Sequence, residues 1–279
     1  MTKTHSDKTV SSLQKLVDTI TDIGKIFFLS HRSTFKTVEG KERLIIMGNG
    51  PSLRQTMAEN TDILKSSNTL AVNFAANTPE FFDIKPNFYV LADPHFFDCS
   101  GDEKVKSLYE NISEADWDMT LFIPFGANIK DFNNPHITVE LFNLVGIDGA
   151  QWLQNAAFNA KRAMPRPRNV LIASIMIAIF KGFKEIYIVG ADHSWMKTIS
   201  VNENNEVVSI QPHFYKDDKK EIARVNNEYT SYPLHQIIHS FYVAFKAYHQ
   251  IKRYADYKGI KIYNSTPESF IDAFDRKPL

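Results

Sequence analysis

The sequence predicts an α/β fold with a doubly wound, mostly parallel Rossmann-like sheet, a polar lid segment and an N-terminal amphipathic helix. Short apolar runs alternate with helical or loop sequence along most of the chain, which is the pattern of a parallel sheet covered by helices. The first apolar run ends in a glycine-rich turn, and another glycine joins a long apolar helix to the strand after it. We expect residues 1–40 to form the helix and a linker, and residues 41–279 to form one Rossmann-like domain with a lid at about 193–233.

The composition is that of a soluble globular protein. Of 279 residues, 43% are hydrophobic and 23% are charged. The 32 basic and 32 acidic residues balance, so no overall field favours nucleic acid as a partner. Cys99 is the single cysteine, which excludes a disulfide framework or a thiolate zinc site within the chain and predicts a reducing, cytoplasmic setting. The first residues are polar, and no apolar run reaches the length that spans a bilayer. We therefore expect neither an export signal nor a membrane-spanning helix.

The predicted N-terminal helix has apolar residues at steps of three and four, which marks one apolar face. These residues are Val10, Leu13, Leu16, Val17, Ile20, Ile23, Ile26 and Phe27. Basic residues accompany them, namely Lys15, Lys25, Arg32 and Lys36, together with His31. Two interpretations stay open: the helix packs on its own domain or on a second subunit, or it lies on a membrane surface, which would make the protein peripheral at the inner face of the cell membrane.

The later elements follow in the order of a wound sheet. Candidate strands are 43–47, 69–72, 88–91, 121–123, 185–190 and 260–263. A long apolar helix is expected at 170–180, and a second amphipathic helix at about 234–258 ends at Gly259. The segment from 193 to 233 is polar and irregular, and loops of that length are commonly functional lids.

The turn Gly48-Asn49-Gly50-Pro51-Ser52-Leu53 follows the first strand and begins a helix. Its glycines would let backbone N–H groups approach an anion, and the helix would point its positive end at the same place. Ser52 would cap that helix or donate to a phosphate. The turn lacks the lysine of a P-loop and the third glycine of the dinucleotide fingerprint, so a plain strand-to-helix turn is the alternative.

Polar residues follow two other strands. Asn73 comes after the second strand, and Asp93 with Pro94 after the third. Because ligands of open α/β sheets bind at the carboxyl ends of the strands, each side chain is a candidate to read a ribose or a base. Asp93 is also a candidate for a divalent cation, with an Asx turn beside proline as its alternative.

Three further groups are candidates for chemistry. Asp192 and His193 close the strand at 185–190 and put a carboxylate and an imidazole on the same rim. His213 lies in the lid and is the candidate general base. Arg166 and Arg168 precede the apolar helix and would neutralise a diphosphate or carboxylate, unless they form a solvated basic turn.

Four motifs taken together resemble the family of 6-hydroxymethylpterin diphosphokinase-like proteins, many of whose bacterial members are linked to surface polysaccharide synthesis. The motifs are Ile45-Ile46-Met47-Gly48-Asn49-Gly50-Pro51-Ser52-Leu53, Asn87-Phe88-Tyr89-Val90-Leu91-Ala92-Asp93-Pro94, Gly182-Phe183-Lys184-Glu185-Ile186-Tyr187-Ile188-Val189-Gly190-Ala191-Asp192-His193 and Ile262-Tyr263-Asn264-Ser265-Thr266-Pro267. Their order matches from about residue 43 to about residue 275. The N-terminal helix lies outside the resemblance.

The same pattern is more distantly similar to bacterial lipooligosaccharide sialyltransferases, which bind CMP-sialic acid on a Rossmann-like sheet. That resemblance implies that Asn49 and Ser52 contact the donor phosphate and that Asn73 contacts the nucleotide. It also implies that His213 is the general base under a mobile lid.

The sequence departs from the sialyltransferase pattern at three places. Asp93 stands where that family has asparagine, and Ser194 with Trp195 replaces a donor-binding tyrosine. Asn169 and Val170 stand where that family has a Thr-Ser pair before the long helix. The identity of the donor is therefore left open.

The leading hypothesis is an inverting glycosyltransferase of bacterial surface polysaccharide synthesis that uses a nucleotide-activated sugar, such as a CMP-linked acidic one, and a glycan or glycolipid acceptor, without a cofactor. Donor contacts are expected from Gly48, Asn49, Gly50, Ser52, Asn73, Asp93, Arg168, Asn169 and Ser194, and catalytic roles from His213, Asp192 and His193. The loop amides, Ser52 and Arg168 would stabilise the departing phosphate. One alternative is a diphosphokinase acting on a pterin-like alcohol, with Mg²⁺ held by Asp93 or Asp192. The other is a non-catalytic nucleotide-sugar binding protein.

Overall fold

The computed structural model describes residues 5–37, 43–98, 101–128, 132–209 and 229–279, with the side chains of the first helix described from residue 12. The helices are α1 (His5–Leu29), α2 (Ser52–Ser66), α3 (Pro79–Ile84), α4 (His95–Asp98), α5 (Glu103–Ser113), α6 (Gln151–Asn159), α7 (Val170–Lys181) and α8 (Leu234–Lys258). The strands are β1 (Arg43–Met47), β2 (Asn68–Val72), β3 (Phe88–Val90), β4 (Met119–Pro124), β5 (Ile137–Phe142), β6 (Gly146–Ile147), β7 (Met164–Pro165), β8 (Glu185–Val189), β9 (Ser200–Val201), β10 (Val207–Val208), β11 (Lys261–Asn264) and β12 (Asp275–Arg276). No helix in these ranges is long and apolar enough to span a bilayer.

A parallel sheet of eight strands forms the centre of the molecule, which confirms the predicted fold class. The strand order is β12-β11-β8-β1-β2-β3-β4-β5. Every ladder of this sheet is parallel. From β1 the chain winds outward to β5, and it then returns to β8 beside β1 and winds the other way. The boundary between β1 and β8 is thus the topological switch point, where sheets of this kind bind ligands.

Two apolar layers cover the two faces of the sheet. Along β1, Leu44 and Ile46 belong to the core shared with α7 and α8, whereas Ile45 and Met47 belong to the core shared with α2 and α5. Successive residues of a strand point to opposite faces, so this strand is apolar throughout because both faces are buried. Helix α7 is buried along nearly its whole length, from Leu171 to Lys181.

Several predicted elements differ from the observed ones. The strand β5 was not predicted, because it lies at the sheet edge and five of its six residues are only partly buried or exposed. The last long strand begins at Lys261 rather than at 260. The described part of the predicted lid is not irregular: it holds a short 3₁₀ helix, Trp195–Lys197, and the antiparallel pair β9–β10. Residues 210–228 of that segment, His213 among them, lie outside the described residues.

Candidate functional site

A cavity of about 530 Å³ opens at the switch point. Its walls come from the turns after β1, β2, β3 and β8, from the N-terminus of α7 and from one face of α8. A volume of this size is within the range of roughly 300–1,000 Å³ typical of ligand pockets. The predicted residues Asn49, Asn73, Asp93, Arg168 and Asn169 all line this cavity.

The turns after β1 and β8 are bonded directly to one another. The amide of Gly48 donates to the carbonyl oxygen of Val189 at 2.8 Å, and the amide of Gly50 donates to that of Gly190 at 2.8 Å. A Cβ atom on Gly48 would lie 2.5 Å from the carbonyl oxygen of Gly190. These glycines therefore allow two loops to touch, and the expectation that both amides face a ligand is corrected.

The N-terminus of α2 already holds an anion that the chain itself supplies. The hydroxyl of Ser52 donates to Oδ2 of Asp192 at 2.8 Å, and the amide of Ser52 lies 3.3 Å from Oδ1 of the same carboxylate. A Cβ atom on Gly50 would overlap Oδ2 of Asp192. Because a carboxylate satisfies a helix N-terminus as a phosphate would, Ser52 has no free donor for a substrate here. Asp192 thus holds the two loops together, and its expected roles in catalysis and in Mg²⁺ binding stay predictions.

Two buried amide oxygens in the cavity wall lack a hydrogen-bond partner. Asn49 donates its Nδ2 to the carbonyl oxygen of Val72 at 3.1 Å, which fixes the side chain and leaves Oδ1 unpaired. Asn73 has a left-handed backbone with φ of 51°, and its Oδ1 is also buried and unpaired. Buried polar atoms are nearly always hydrogen-bonded, so these two acceptors suit a ligand that brings N–H or O–H donors.

A third amide presents an unpaired donor at the N-terminus of α7. The Oδ1 of Asn169 caps the helix by accepting from the amide of Ile172 at 3.2 Å, and it also accepts from the Tyr248 hydroxyl at 3.0 Å. Its Nδ2 is left buried and unpaired in the cavity wall. Arg168 is exposed beside it, and its guanidinium forms no ion pair with a described residue. A helix N-terminus, a free N–H donor and a guanidinium together favour an anionic group.

His193 is a buried, neutral imidazole. Burial lowers its pKa from the ordinary value of 6.5 to about 3. Its Nε2 lies 2.6 Å from the Tyr248 hydroxyl, and its ring packs on Trp195 with a centroid separation of 4.2 Å. Because Tyr248 donates to Asn169, its oxygen accepts from His193, which places the imidazole proton on Nε2. His193 lines the cavity, but its resolved contacts hold Tyr248 and hence Asn169 in position.

The segment after β3 contains Asp93 and His95, whose side chains make different hydrogen bonds. Asp93 is exposed and accepts from the amide of His95 at 2.9 Å, which is the Asx turn of the alternative interpretation. His95 lines the cavity, and its Nε2 lies 3.1 Å from Oδ2 of Asp102. The other oxygen of Asp102 caps α5 by accepting from the amide of Lys104 at 2.9 Å, so the carboxylate is fixed.

Sequence reasoning gave no site role to several residues in or behind the cavity wall, four of which bear on the site. These are Phe74, His95 and Trp195 in the wall and Tyr248 behind Asn169. Phe74 directly follows Asn73, and His95 lies two residues after Asp93, so their positions close to polar residues at strand ends were the available signal. Ser194, which was predicted, also lines the cavity.

The described ranges contain no group of three or more His, Cys, Asp or Glu residues arranged to hold a metal ion. Asp93 and Asp192, the two carboxylates considered for Mg²⁺, therefore do not belong to such a cluster in this part of the chain. His235 and His239, spaced one helical turn apart on α8, are both exposed.

Comparisons with known proteins identify no family. No protein-family model matches the chain, and no curated protein sequence matches it. Among solved structures, one similar chain is the MAf glycosyltransferase from Magnetospirillum magneticum AMB-1, with 12% sequence identity and a TM-score of 0.48 over 94% of this chain. This chain spans 38% of that protein's length.

Proposed function

We propose that this protein is a glycosyltransferase that uses a nucleotide-activated sugar, with a CMP-linked acidic sugar as the donor. One observation carries the proposal: three buried amide atoms without partners, on Asn49, Asn73 and Asn169, line a single cavity at the switch point of the sheet. Such a set suits a ligand with both donors and acceptors, as nucleotides have. The more distant similarity of the motif pattern to lipooligosaccharide sialyltransferases favours glycosyl transfer among the reactions that use nucleotides, with the diphosphokinase as the alternative.

The phosphate of the donor binds at the N-terminus of α7 in this proposal. Nδ2 of Asn169 donates to a phosphate oxygen, the guanidinium of Arg168 pairs with its charge, and the first amides of α7 face it. This is the end of the cavity without an internal anion, since Asp192 fills the N-terminus of α2. A developing negative charge on the leaving phosphate is stabilised by the same groups.

The nucleoside occupies the part of the cavity next to β1 and β2. The oxygens of Asn49 and Asn73 accept from ribose hydroxyls or from the amino group of cytosine. Phe74 lines the cavity and offers a ring face for stacking on the base. An amino-bearing base satisfies these acceptors better than uracil does, so CMP is preferred over UMP.

The reaction moves one proton and one glycosyl group. A base takes the proton from an acceptor hydroxyl as its oxygen attacks the anomeric carbon, and the bond from that carbon to the phosphate oxygen breaks to release CMP. Attack opposite the leaving group inverts the anomeric configuration. The acceptor is a glycan or a glycolipid, and no metal or other cofactor takes part.

His213 is the proposed base. Within the described residues, His95 is the second candidate, because Asp102 orients its ring as carboxylates orient catalytic histidines. Both histidines can be tested against a matched control, His136, which makes a similar bond to a carboxylate: its Nδ1 lies 2.8 Å from Oδ1 of Asp118, and it does not line the cavity.

The experiment measures CMP release from CMP-sialic acid with a lipooligosaccharide acceptor, for the parent and for the His213→Gln, His95→Gln and His136→Gln variants. Loss of a general base lowers turnover by about 10²–10⁴-fold. We expect that loss for His213→Gln and parental turnover for His136→Gln. A loss confined to His95→Gln would reassign the base to the Asp102-oriented histidine.

Two results would contradict the proposal itself. One is binding of CMP without turnover for any activated sugar, which would leave a non-catalytic binding protein. The other is turnover of ATP and a pterin-like alcohol that EDTA abolishes and Mg²⁺ restores, which would make the protein a diphosphokinase. Thermal-shift measurements with CMP, UMP and ATP run beside the assay, since a ligand that binds the folded state raises the melting temperature.

A further inference from the structure

Most of the apolar stripe of α1 faces solvent, whereas Ile26 packs against the core. Eight of its large apolar side chains are between 47% and 80% exposed: Leu13, Leu16, Val17, Ile20, Ile23, Phe27, Phe28 and Leu29. Together they expose on the order of 1,000 Å², whereas the largest apolar patch of a typical monomer is roughly 300–600 Å². A surface of this kind is normally covered by a partner or a membrane.

The helix cannot simply turn this stripe inward, because polar contacts fix its opposite side. Asp22 is buried and accepts from the amides of Asp148 and Gly149 at 2.7 and 2.8 Å. Thr19 accepts from the amide of Ala150 at 2.9 Å. A Cβ atom on Gly149 would lie 2.7 Å from Cα of Thr19, so the two backbones are in close contact. The polar face is therefore the one that packs on the domain.

The end of α1 lies at the same edge of the sheet as the cavity. The amide of His31 donates to Oδ1 of Asn143 at 2.7 Å, and Nδ2 of Asn143 donates back to the carbonyl oxygen of His31 at 2.9 Å. Asn143 directly follows β5, and the next residue, Leu144, lines the cavity. The ring of His31 also stacks on Phe125, which directly follows β4. Parallel strands end at one edge, so the exposed Phe27 and the cavity belong to the same side of the molecule.

The charges around the stripe are mostly basic. Between residues 12 and 37 there are four Lys or Arg residues and two acidic residues, Asp18 and Asp22. Lys15, Arg32 and Lys36 are exposed and form no ion pair with a described residue, whereas Asp22 is buried and pairs with Lys25. This segment is thus locally cationic in a chain of zero net charge. A symmetric pair of such helices would bring like charges together, because an isologous contact places the same surface on both sides. An anionic bilayer surface supplies the opposite charge and accepts the apolar side chains.

We infer that α1 docks the protein on an anionic lipid bilayer, with Phe27 and Phe28 inserted among the acyl chains and Arg32 and Lys36 at the headgroups. The rim of the cavity then faces the membrane surface. An acceptor carried by a lipid would reach the cavity from that side. Membrane docking depends on α1 and the charges beside it, and does not depend on which nucleotide-activated sugar the protein binds.

The test is sedimentation of the full chain with vesicles of phosphatidylglycerol and phosphatidylcholine in equal parts, compared with vesicles of phosphatidylcholine alone. We expect the parent to bind the anionic vesicles and to be released by salt. The Phe27→Ser/Phe28→Ser double variant should lose at least tenfold in binding, since it removes two apolar anchors. Charge reversal in Arg32→Glu/Lys36→Glu should lose about tenfold or more on anionic vesicles.

A matched control removes exposed aromatic rings elsewhere. Tyr242 and Tyr257 on α8 are 58% and 61% exposed, and their serine double variant should bind vesicles as the parent does. The thermal unfolding of the phenylalanine and the tyrosine double variants should match that of the parent, because the replaced rings are exposed. A parent that stays in the supernatant with anionic vesicles would overturn the inference. So would a dimer, seen by light scattering, that the Phe27→Ser/Phe28→Ser change converts to a monomer.

Discussion

Replacing Gly50 with alanine should destabilise the protein strongly, although the change adds one methyl group. The added Cβ would overlap Oδ2 of Asp192 and lie 2.7 Å from the carbonyl oxygen of Gly190. Overpacking of this kind costs about 1–3 kcal/mol. Displacing Asp192 also removes its bonds from Ser52, and a hydrogen bond to a charged group contributes about 1.5–3 kcal/mol. We expect a loss of about 3–5 kcal/mol in the free energy of unfolding.

The assay is urea unfolding followed by circular dichroism, with Gly24→Ala as the matched control. Gly24 lies inside α1, and a Cβ atom there would meet nothing within 4 Å. Alanine should therefore stabilise that helix by about 0.5–1 kcal/mol. In Gly50→Ala/Asp192→Ala, the two losses should be less than additive, because the second change removes the carboxylate that the new methyl meets. A Gly50→Ala protein within about 0.5 kcal/mol of the parent, the usual size of a surface effect, would refute this account of the loop contact.

Three further predictions concern the groups around the cavity and α1. Since burial lowers the pKa of His193 from 6.5 to about 3, the unfolded state binds more protons between those values, and stability should fall as pH drops through that window, by up to about 1.4 kcal/mol per pH unit. The free energy of unfolding, measured by denaturant at several pH values, should depend less steeply on pH in His193→Gln than in the parent. An equal dependence would contradict a lowered pKa for His193. Tyr248→Phe leaves His193 without its partner and removes one donor to Asn169. It should cost about 1–3 kcal/mol in the free energy of unfolding and weaken CMP binding. Parental values in both scanning calorimetry and CMP titration would contradict a coupling of Tyr248 to Asn169. Asp22→Ala removes the acceptor of two backbone amides, the buried one of Gly149 and the partly buried one of Asp148, and should cost about 2–4 kcal/mol in the free energy of unfolding, with faster hydrogen exchange in α1. Unchanged protection there would show that the helix is held by other contacts.

The fold and the location of the cavity could be predicted from local pattern. Alternating apolar runs predicted the parallel sheet, and the polar residues that follow strands marked its ligand edge. Asn49, Asn73 and Asp192 were placed on one rim because the carboxyl ends of parallel strands share an edge. The structure places them there, around the boundary between β1 and β8.

The use of the first turn could not be predicted from local pattern. A glycine-rich turn before a helix fits an anion site whether the anion is a phosphate or a carboxylate of the same chain. The choice depends on Asp192, which is 140 residues from Ser52 in sequence and reaches it only once β8 pairs with β1. A long-range contact of that kind leaves no trace in the spacing of residues around the turn.

The orientation of α1 on the domain could not be predicted from the periodicity of its apolar residues either. Apolar residues at steps of three and four predicted an amphipathic helix, and α1 is one. Periodicity does not say which face packs on the domain. Here Thr19 and Asp22 accept from the backbone amides that precede α6, and Ile26 packs against the core beside them. The other large apolar side chains of the helix are left exposed.

The most direct test of the account is calorimetric titration of CMP into the parent and into Asn49→Ala, Asn169→Ser and Asn204→Ala. Serine keeps an N-cap hydroxyl at 169 while removing Nδ2, and Asn204 is an exposed control outside the cavity wall. The account predicts that the parent and Asn204→Ala bind CMP equally, and that each cavity variant raises the Kd about tenfold, as loss of one buried hydrogen bond does. CMP affinity that is absent from the parent, or that is the same in all four proteins, would contradict the claim that these amides hold a nucleotide.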